Sequence, residues 1–309
     1  MNGNRLRLIG AIAAITILLV LVVSGLSVGN RVKNCHATHT CTSPSPTVTQ
    51  TPSPSSQPGD YGPQTSISCP AGAVDISASQ DIAAVVSSHV AGTAFCVLAA
   101  TFHPTSPINM KAGDSLTGQY GAVIDGTNVT QGYDVGSTAI IRGWNCFTTA
   151  PCNNVTIRNL VIRNLATHDC IGIYEDGSVL PGTGWTVDHN ETSGCTMGIA
   201  TWSNGTFSHN FTHDNACGIG GYRNSYVVAD HNEIAHNQNS GCKWAAGDHI
   251  TVTNNYVHDN AYTGPELNAG IWLDTVGPGN LISGNTVQNQ AFGIMYEATD
   301  AGRITANTV

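Results

Sequence analysis

Charge is scarce in this 309-residue sequence. Lys, Arg, Asp and Glu together make up 10% of it, and lysine occurs only at Lys33, Lys111 and Lys243. There is no basic patch along the chain, which argues against nucleic acid as a partner. There is also no CxxC pair, so the ten cysteines do not read as a zinc-cluster framework. The sequence does hold 34 glycines and much Asn, Thr and Ser, a composition that suits turn-rich β structure better than helical bundles. The net charge of −9 is carried by one half of the chain. Residues 1–154 hold six basic and six acidic residues, whereas residues 155–309 hold five basic and fourteen acidic ones.

The N-terminus reads as an export and anchoring signal, assigned to residues 1–30. Arg5 and Arg7 precede the apolar run Leu8 to Val23, which continues through small residues to Gly29. That length is close to a bilayer span. No small-x-small cleavage site follows, which favours an uncleaved membrane anchor over a removed signal peptide. Residues 31–68 form a linker, rich in Pro, Ser and Thr from residue 42 onward. Such a segment buries too little apolar surface to order itself and serves as an extended spacer. A folded domain then occupies residues 69–309. The expected location is extracellular and cell-surface anchored, or secreted if the N-terminal segment is removed.

Ten cysteines fit an exported protein. Local pairs are expected: Cys69 with Cys96 around the first folded element, and Cys146 with Cys152 around NCFTTAPC. Cys35 and Cys41 flank a short loop near the anchor. Cys170, Cys195, Cys217 and Cys242 fall in successive repeats, where neighbouring turns of the chain bring such positions close. Sequence alone does not fix the connectivity.

Two signals recur from Val155 to the end. One is an asparagine followed two residues later by a β-branched residue, at Asn190, Asn210, Asn232, Asn255, Asn285 and Asn307, spaced by 20, 22, 23, 30 and 22 residues. The other is Gly-Ile or a near variant, at Gly172, Gly198, Gly218, Gly241, Gly270 and Gly293. Periods of this size indicate a stacked repeat architecture. Upstream, Gln80 to Val90 has helical apolar spacing, with Ser77 or Ser79 as the cap, and is expected to cover the open end of the stack. Strand-like pieces follow at residues 94–102, 115–118, 121–126 and 137–143.

This order carries a resemblance. A capping helix precedes AFCVLAATFHPTSPINMKAGDSLTGQYGAVIDGT, then NNVTIRNLVIRN, then the Asn and Gly-Ile repeats, with NNYVHDN, GIWLD and GIMYE late in the chain. Over roughly residues 70–309 it resembles right-handed parallel β-helix repeat proteins of the pectate-lyase-like superfamily. The resemblance implies an all-β solenoid with a short N-terminal capping helix. It leaves activity open, because that superfamily includes polysaccharide lyases, hydrolases, epimerases and fibres.

In such a solenoid the residues three before each Asn (Val187, Phe207, Ala229, Val252, Ile282 and Ile304) point inward. So does the residue after each Gly. The asparagines form a structural ladder at a bend, with Leu160 in that place on the first full rung. Asn190 and Asn210 head N-x-T sequons, but ladder residues make poor glycosylation sites.

Alternation puts positions two and four after each Gly outward: Tyr174 and Asp176, Ala200 and Trp202, Gly220 and Tyr222, Lys243 and Ala245, Trp272 and Asp274, Met295 and Glu297. Trp202, Tyr222 and Trp272, with Arg223 beside them, are candidates to bind sugar rings. Lys243, Asp274 and Glu297 are candidate catalytic residues. Two chemistries fit. In β-elimination from a uronate polymer, Lys243 would neutralise the substrate carboxylate or take a proton. In hydrolysis, Asp274 and Glu297 would act as an acid/base pair about 5 Å apart at the strand level. An acidic strip favours a neutral or basic glycan, or a lyase assisted by Ca²⁺, the one cofactor that this strip suggests.

His189, His209 and His231 each precede a ladder Asn and share a column. His213, His236 and His258 follow the next bend. Side chains of one column run parallel rather than converging, so a metal centre is not expected from them. His213 or His258 is the candidate general base.

Three functions remain: a surface-tethered carbohydrate-active enzyme, a non-catalytic glycan-binding or adhesion module, and a structural envelope protein. The tract stops two residues after Asn307, in mid-rung, so further rungs are expected beyond it.

Overall fold

A single rung of this chain is too short to bury its apolar residues, so each rung must pack on its neighbours. The computed structural model describes residues 60–130, 139–143, 152–172, 182–201, 203–260, 269–298 and 300–309. The apolar run 8–23, the linker up to residue 59, Cys35, Cys41, Cys146, Tyr174, Asp176 and Trp202 therefore lie outside the described residues. Among the described residues no helix is long and apolar enough to cross a membrane.

The described strands stack into three parallel sheets. The first has ten strands, from Val74–Ile76 to Gly302–Thr305. The second has eight, from Thr101–Phe102 to Thr286–Gln288, and the third eight, from Ile108–Asn109 to Phe292–Glu297. Along the repeats the chain visits the sheets in that order, one strand each, and then begins the next rung. The result is a parallel β-helix with its core inside the coil.

The inward column of the first sheet is in register from rung to rung: Val187 with Phe207, Phe207 with Ala229, Ala229 with Val252, Val252 with Ile282. These five side chains are at most 1% exposed. Each large one contributes about 1.5–3 kcal/mol by leaving water. Ile304 ends the column and is 48% exposed, contrary to expectation, because no described rung packs on its far side.

The asparagine ladder is present as read. The backbone N of Asn190 donates to Oδ1 of Asn210 at 3.0 Å, and Nδ2 to the same oxygen at 3.1 Å. The same double bond links Asn210 to Asn232, Asn232 to Asn255, Asn255 to Asn285 and Asn285 to Asn307. Leu160 holds the place on the first rung, its backbone N donating to Asn190 Oδ1 at 3.1 Å. Asn190 and Asn210 are fully buried, so their sequons are closed to modification. The residue before each ladder position bends the chain in the left-handed region: Asn159, His189, His209, His231, Asn254 and Ala306 have φ between 50° and 60°. Short polar side chains tolerate that conformation, which accounts for the many His and Asn there.

A second ladder at the next bend was missed by the sequence reading. Asn215 donates to Asn237 Oδ1 at 3.1 and 3.2 Å, and Asn237 to Asn260 Oδ1 at 3.0 and 2.9 Å. Its signal is an asparagine five residues after the first-ladder residue: Asn210 and Asn215, Asn232 and Asn237, Asn255 and Asn260.

Three further readings need correction. The helix, α1, spans Ile82–Ser88, and its cap is Asp81, whose side chain accepts from the N–H groups of Ala83 and Ala84. Ser77 sits one turn earlier and accepts at its carbonyl from Gln80 N. Lys111 Nζ donates to the last carbonyls of α1, including Ser87 O at 2.7 Å, where a cation complements the helix dipole. On the first repeat, Ile171, not Ile173, is in register with Ile199. Cys170 thus takes the place of the glycine, and Gly172 aligns with Ala200. Finally, residues 60–68, read as spacer, pack on the coil. Gly62 N donates to His209 O at 2.8 Å, and Gln64 N to Asn159 Oδ1 at 2.6 Å.

Disulfides join Cys69 to Cys96 and Cys170 to Cys195. Cys152 is also disulfide-bonded. Cys242 is a fully buried thiol, and burial pushes its ionisation far upward.

Candidate functional site

The outer face of the third sheet brings four of the candidate residues together. Its strands are the longest of the coil, six residues each in Cys217–Tyr222, Ser240–Ala245, Ala269–Asp274 and Phe292–Glu297. Register places Gly220, Lys243, Trp272 and Met295 in one outward column. Tyr222, Ala245, Asp274 and Glu297 form the next. Between them, Trp244 and Leu273 point into the core.

Trp272 is not the open platform that alternation suggested. It is 7% exposed, and Lys243 Nζ lies 3.5 Å above its ring centroid. Such a cation–π contact is worth about 0.5–1 kcal/mol at an exposed site, so it roofs the indole weakly. The indole Nε1 is buried without a hydrogen-bond partner, a condition that is uncommon in a folded chain. Asp274 and Glu297 are Cα partners on adjacent parallel strands, so their side chains start about 5 Å apart. Thr275 Oγ1 donates to Asp274 Oδ1 at 2.6 Å. Arg223 lies 5.0 Å from the ring centroid of Tyr222, at the end of the same column. Two carboxylates fall well short of the roughly six to eight oxygens that Ca²⁺ takes, so the described residues of this face do not form a Ca²⁺ site by themselves.

His258 does not join this group. It stands on the second sheet, in the strand Tyr256–His258. Its Nε2 lies 3.1 Å from Glu233 and its Nδ1 2.8 Å from Asp259. Burial opposes the charge, but those two carboxylates outweigh it and raise the imidazole above its ordinary value. His213 repeats the arrangement with Asp214 at 2.7 Å and Glu191 at 3.4 Å. Burial again opposes the charge, and the carboxylates push the ring to about 9. His213 is therefore a cation at neutral pH without a lone pair to act as a base, contrary to the role expected of it, and the same two-carboxylate clamp favours the charged form of His258. The signal for this clamp is a Glu directly after a ladder Asn (Glu191, Glu233), followed one rung later by a His three residues after the ladder Asn (His213, His258).

His189, His209 and His231 do stack, with centroids 4.6 and 5.5 Å apart. Asp188 accepts from this column, and ligand atoms of Asp188, His189 and His209 lie within 4.8 Å of one another. Rings stacked at 11° keep their in-plane lone pairs parallel, so both cannot point at one ion. Burial would raise Asp188, but His189, Ser208 and Arg158 hold it down at about 2. Asp169 is different: it is fully buried with Oδ1 unpartnered, and burial raises it to about 7.

Comparison with known proteins gives the following. No curated protein matches the sequence. Solved structures are similar at low identity, these two among them. One is the catalytic domain of Agl-KA, at 13% identity and a TM-score of 0.38, covering 78% of this chain. The chain spans 58% of the length of that domain. The other is the A-module of the mannuronan C-5 epimerase AlgE6 of Azotobacter vinelandii, at 12% identity and a TM-score of 0.30, covering 74% of this chain and 93% of that module. Residues 145–309 match the family model described as right handed beta helix region. The match covers more than half of the chain and coincides with its stacked parallel rungs, and the chain belongs to that right-handed β-helix family.

Proposed function

We propose that the protein acts on a polysaccharide laid along the outer face of the third sheet, as an extracytoplasmic carbohydrate-active enzyme. The observation that supports this reading is the grouping of Lys243, Trp272, Asp274 and Glu297 on adjacent rungs of one face. Lys243 shields Trp272 in the free chain at a cost of about 0.5–1 kcal/mol to open. A sugar ring that displaces the ammonium gains the indole face. The freed Lys243 is then placed to meet a negative group of the substrate. Asp274 and Glu297 supply an acid and a base across a glycosidic bond. Tyr222 and Arg223 extend the track along the same sheet.

The disulfides point to an oxidising compartment. With the apolar run Leu8–Val23 they support export, and we read that run as a membrane anchor. Susceptibility of the folded domain to protease added outside intact cells tests the location.

The site is tested by incubating the full chain with a panel of neutral and uronate polysaccharides. New reducing ends report hydrolysis, unsaturated products report elimination, and a changed uronate ratio reports epimerisation. Asp274→Ala and Glu297→Ala are expected to abolish turnover. Lys243→Ala is expected to lower it while keeping or tightening binding, because the indole is uncovered. Turnover that survives both carboxylate changes would overturn the assignment. Binding without any turnover would make the face a glycan-binding module instead.

A further inference from the structure

A cleft on the second sheet has no part in the site described above. Its volume is about 330 Å³, at the small end of ligand sites. One wall is Tyr61, delivered by the segment 60–68. The other consists of Asn254 and Gly284 at the bend, and of Tyr256, Thr286 and Gln288 on the sheet. Tyr256 and Thr286 are register partners on adjacent rungs.

Tyr61 is held in place from both sides. Gly62 N and Gln64 N bond to the coil, the Gln64 amide donates to the carbonyls of Tyr61 and Gly62 at 3.3 and 3.2 Å, and Cys69 is tied to Cys96. Gly62 adopts φ 71° above Phe211, a turn that aims its neighbour at the sheet. Burial, together with Glu233, Asp60 and Tyr256, raises the Tyr61 hydroxyl, so it stays a neutral phenol that both donates and accepts. Tyr256 stacks on His258 at 4.1 Å and donates to Gln288 Oε1 at 3.3 Å.

The lining holds phenols, carboxamides and a hydroxyl, and no charged group. The nearby carboxylates of Glu233 and Asp259 are engaged by His258. Aromatic bodies suit the C–H face of a pyranose, and amides and phenols suit its hydroxyls. Nothing in the lining would meet a carboxylate or an ammonium. We infer that this cleft is a second glycan site, which takes one ring of an uncharged saccharide between Tyr61 and the Tyr256–Gln288 wall.

The cleft and the third-sheet face are on different sheets, so the two assignments stand or fall separately. The test uses the full chain, titrated with maltohexaose, cellohexaose, xylohexaose and mannohexaose, and with an oligogalacturonate as the charged control. Calorimetry gives affinity, and saturation-transfer NMR gives contact with tyrosine rings. At least one neutral hexasaccharide is expected to bind, with tyrosine contacts. Tyr61→Ala is expected to weaken it about tenfold and Gln288→Ala severalfold, with the urea midpoint unchanged for Gln288→Ala. Tyr61→Phe separates ring from hydroxyl and is expected to lose less than Tyr61→Ala. The proposal is overturned if no neutral probe binds at millimolar concentration, or if binding survives Tyr61→Ala. It is also overturned if the bound saccharide contacts tryptophan rings and no tyrosine, which would place the sugar over Trp272 on the third sheet.

Discussion

His213 carries its positive charge because two carboxylates flank it, and that charge makes the fold sensitive to base. Its value rises from 6.5 to about 9 on folding. A raised histidine stabilises the native state fully below its unfolded value and loses that contribution as pH rises through the folded one. The window is therefore 6.5 to about 9. Asp169, raised to about 7 by burial, acts in the same direction but is already ionised above that point. Asp188 acts in the opposite direction: held down at about 2, its contribution is present above 3.8 and is lost as pH falls through 2. The fall in stability between about 7 and 9 thus belongs to the clamped His213, and His258, raised by the same kind of clamp, acts in the same direction. The urea midpoint of the wild type is expected to drop across that interval, and His213→Gln to lose most of the drop. An unchanged slope in the variant would show that Glu191 and Asp214 do not hold the charge.

At the scale of the element, the first asparagine ladder fixes the bend between the first two sheets. Asn232 accepts from the backbone N and Nδ2 of Asn210 and donates to Phe207 O and Asn255 Oδ1. Asn232→Ala leaves several of these buried groups unmatched, each costing about 1–3 kcal/mol. A loss of about 3 kcal/mol or more in urea unfolding is expected, against less than about 0.5 kcal/mol for the exposed Asn128→Ala, whose backbone is not left-handed; equal effects would refute the ladder as a structural device. The ladder was legible in the sequence because a buried bend demands one residue type at one period. The second ladder repeats that logic, but Cys195 and Gln290 interrupt its column, and the recurrence thins out. Gly172-Ile173 misled because Cys170, bridged to Cys195, takes the glycine position two residues earlier. Parity correctly placed Lys243, Trp272, Asp274 and Glu297 on one face. It did not foresee that Lys243 folds over Trp272, because exposure depends on the neighbouring rung as well as on direction. Tyr61 was hidden for a similar reason: composition marks residues 42–68 as spacer, while the bonds that seat Tyr61 involve residues such as Asn159, 95 positions from Gln64.

The described coil is close to one-dimensional, since each rung touches chiefly the rungs above and below it, and its stability is roughly a sum of rung and interface contributions. The two described disulfides are not spread evenly along that axis. Cys69–Cys96 ties the segment after Tyr61 to the first strands, and Cys170–Cys195 joins two adjacent rungs. Each closes a loop of 27 or 25 residues, which corresponds to about 3–4 kcal/mol of chain entropy removed from the unfolded state. The rungs from Val228 to His258 contain no disulfide among the described residues and depend on both asparagine ladders instead. Reduction should therefore loosen the molecule locally rather than as a whole. In hydrogen exchange with and without reductant, the strands Ala94–Val97, Val161–Leu165 and Glu191–Cys195 are expected to lose protection. The strands Val228–Asp230 and Thr251–Thr253, several rungs away, are expected to keep it. A uniform loss along the coil would mean that unfolding is cooperative over its whole length and that nearest-neighbour stacking does not govern it. A loss confined to the bridged rungs would also predict that glycan binding between Tyr61 and Tyr256 is sensitive to reductant, while turnover at Asp274 and Glu297 is not.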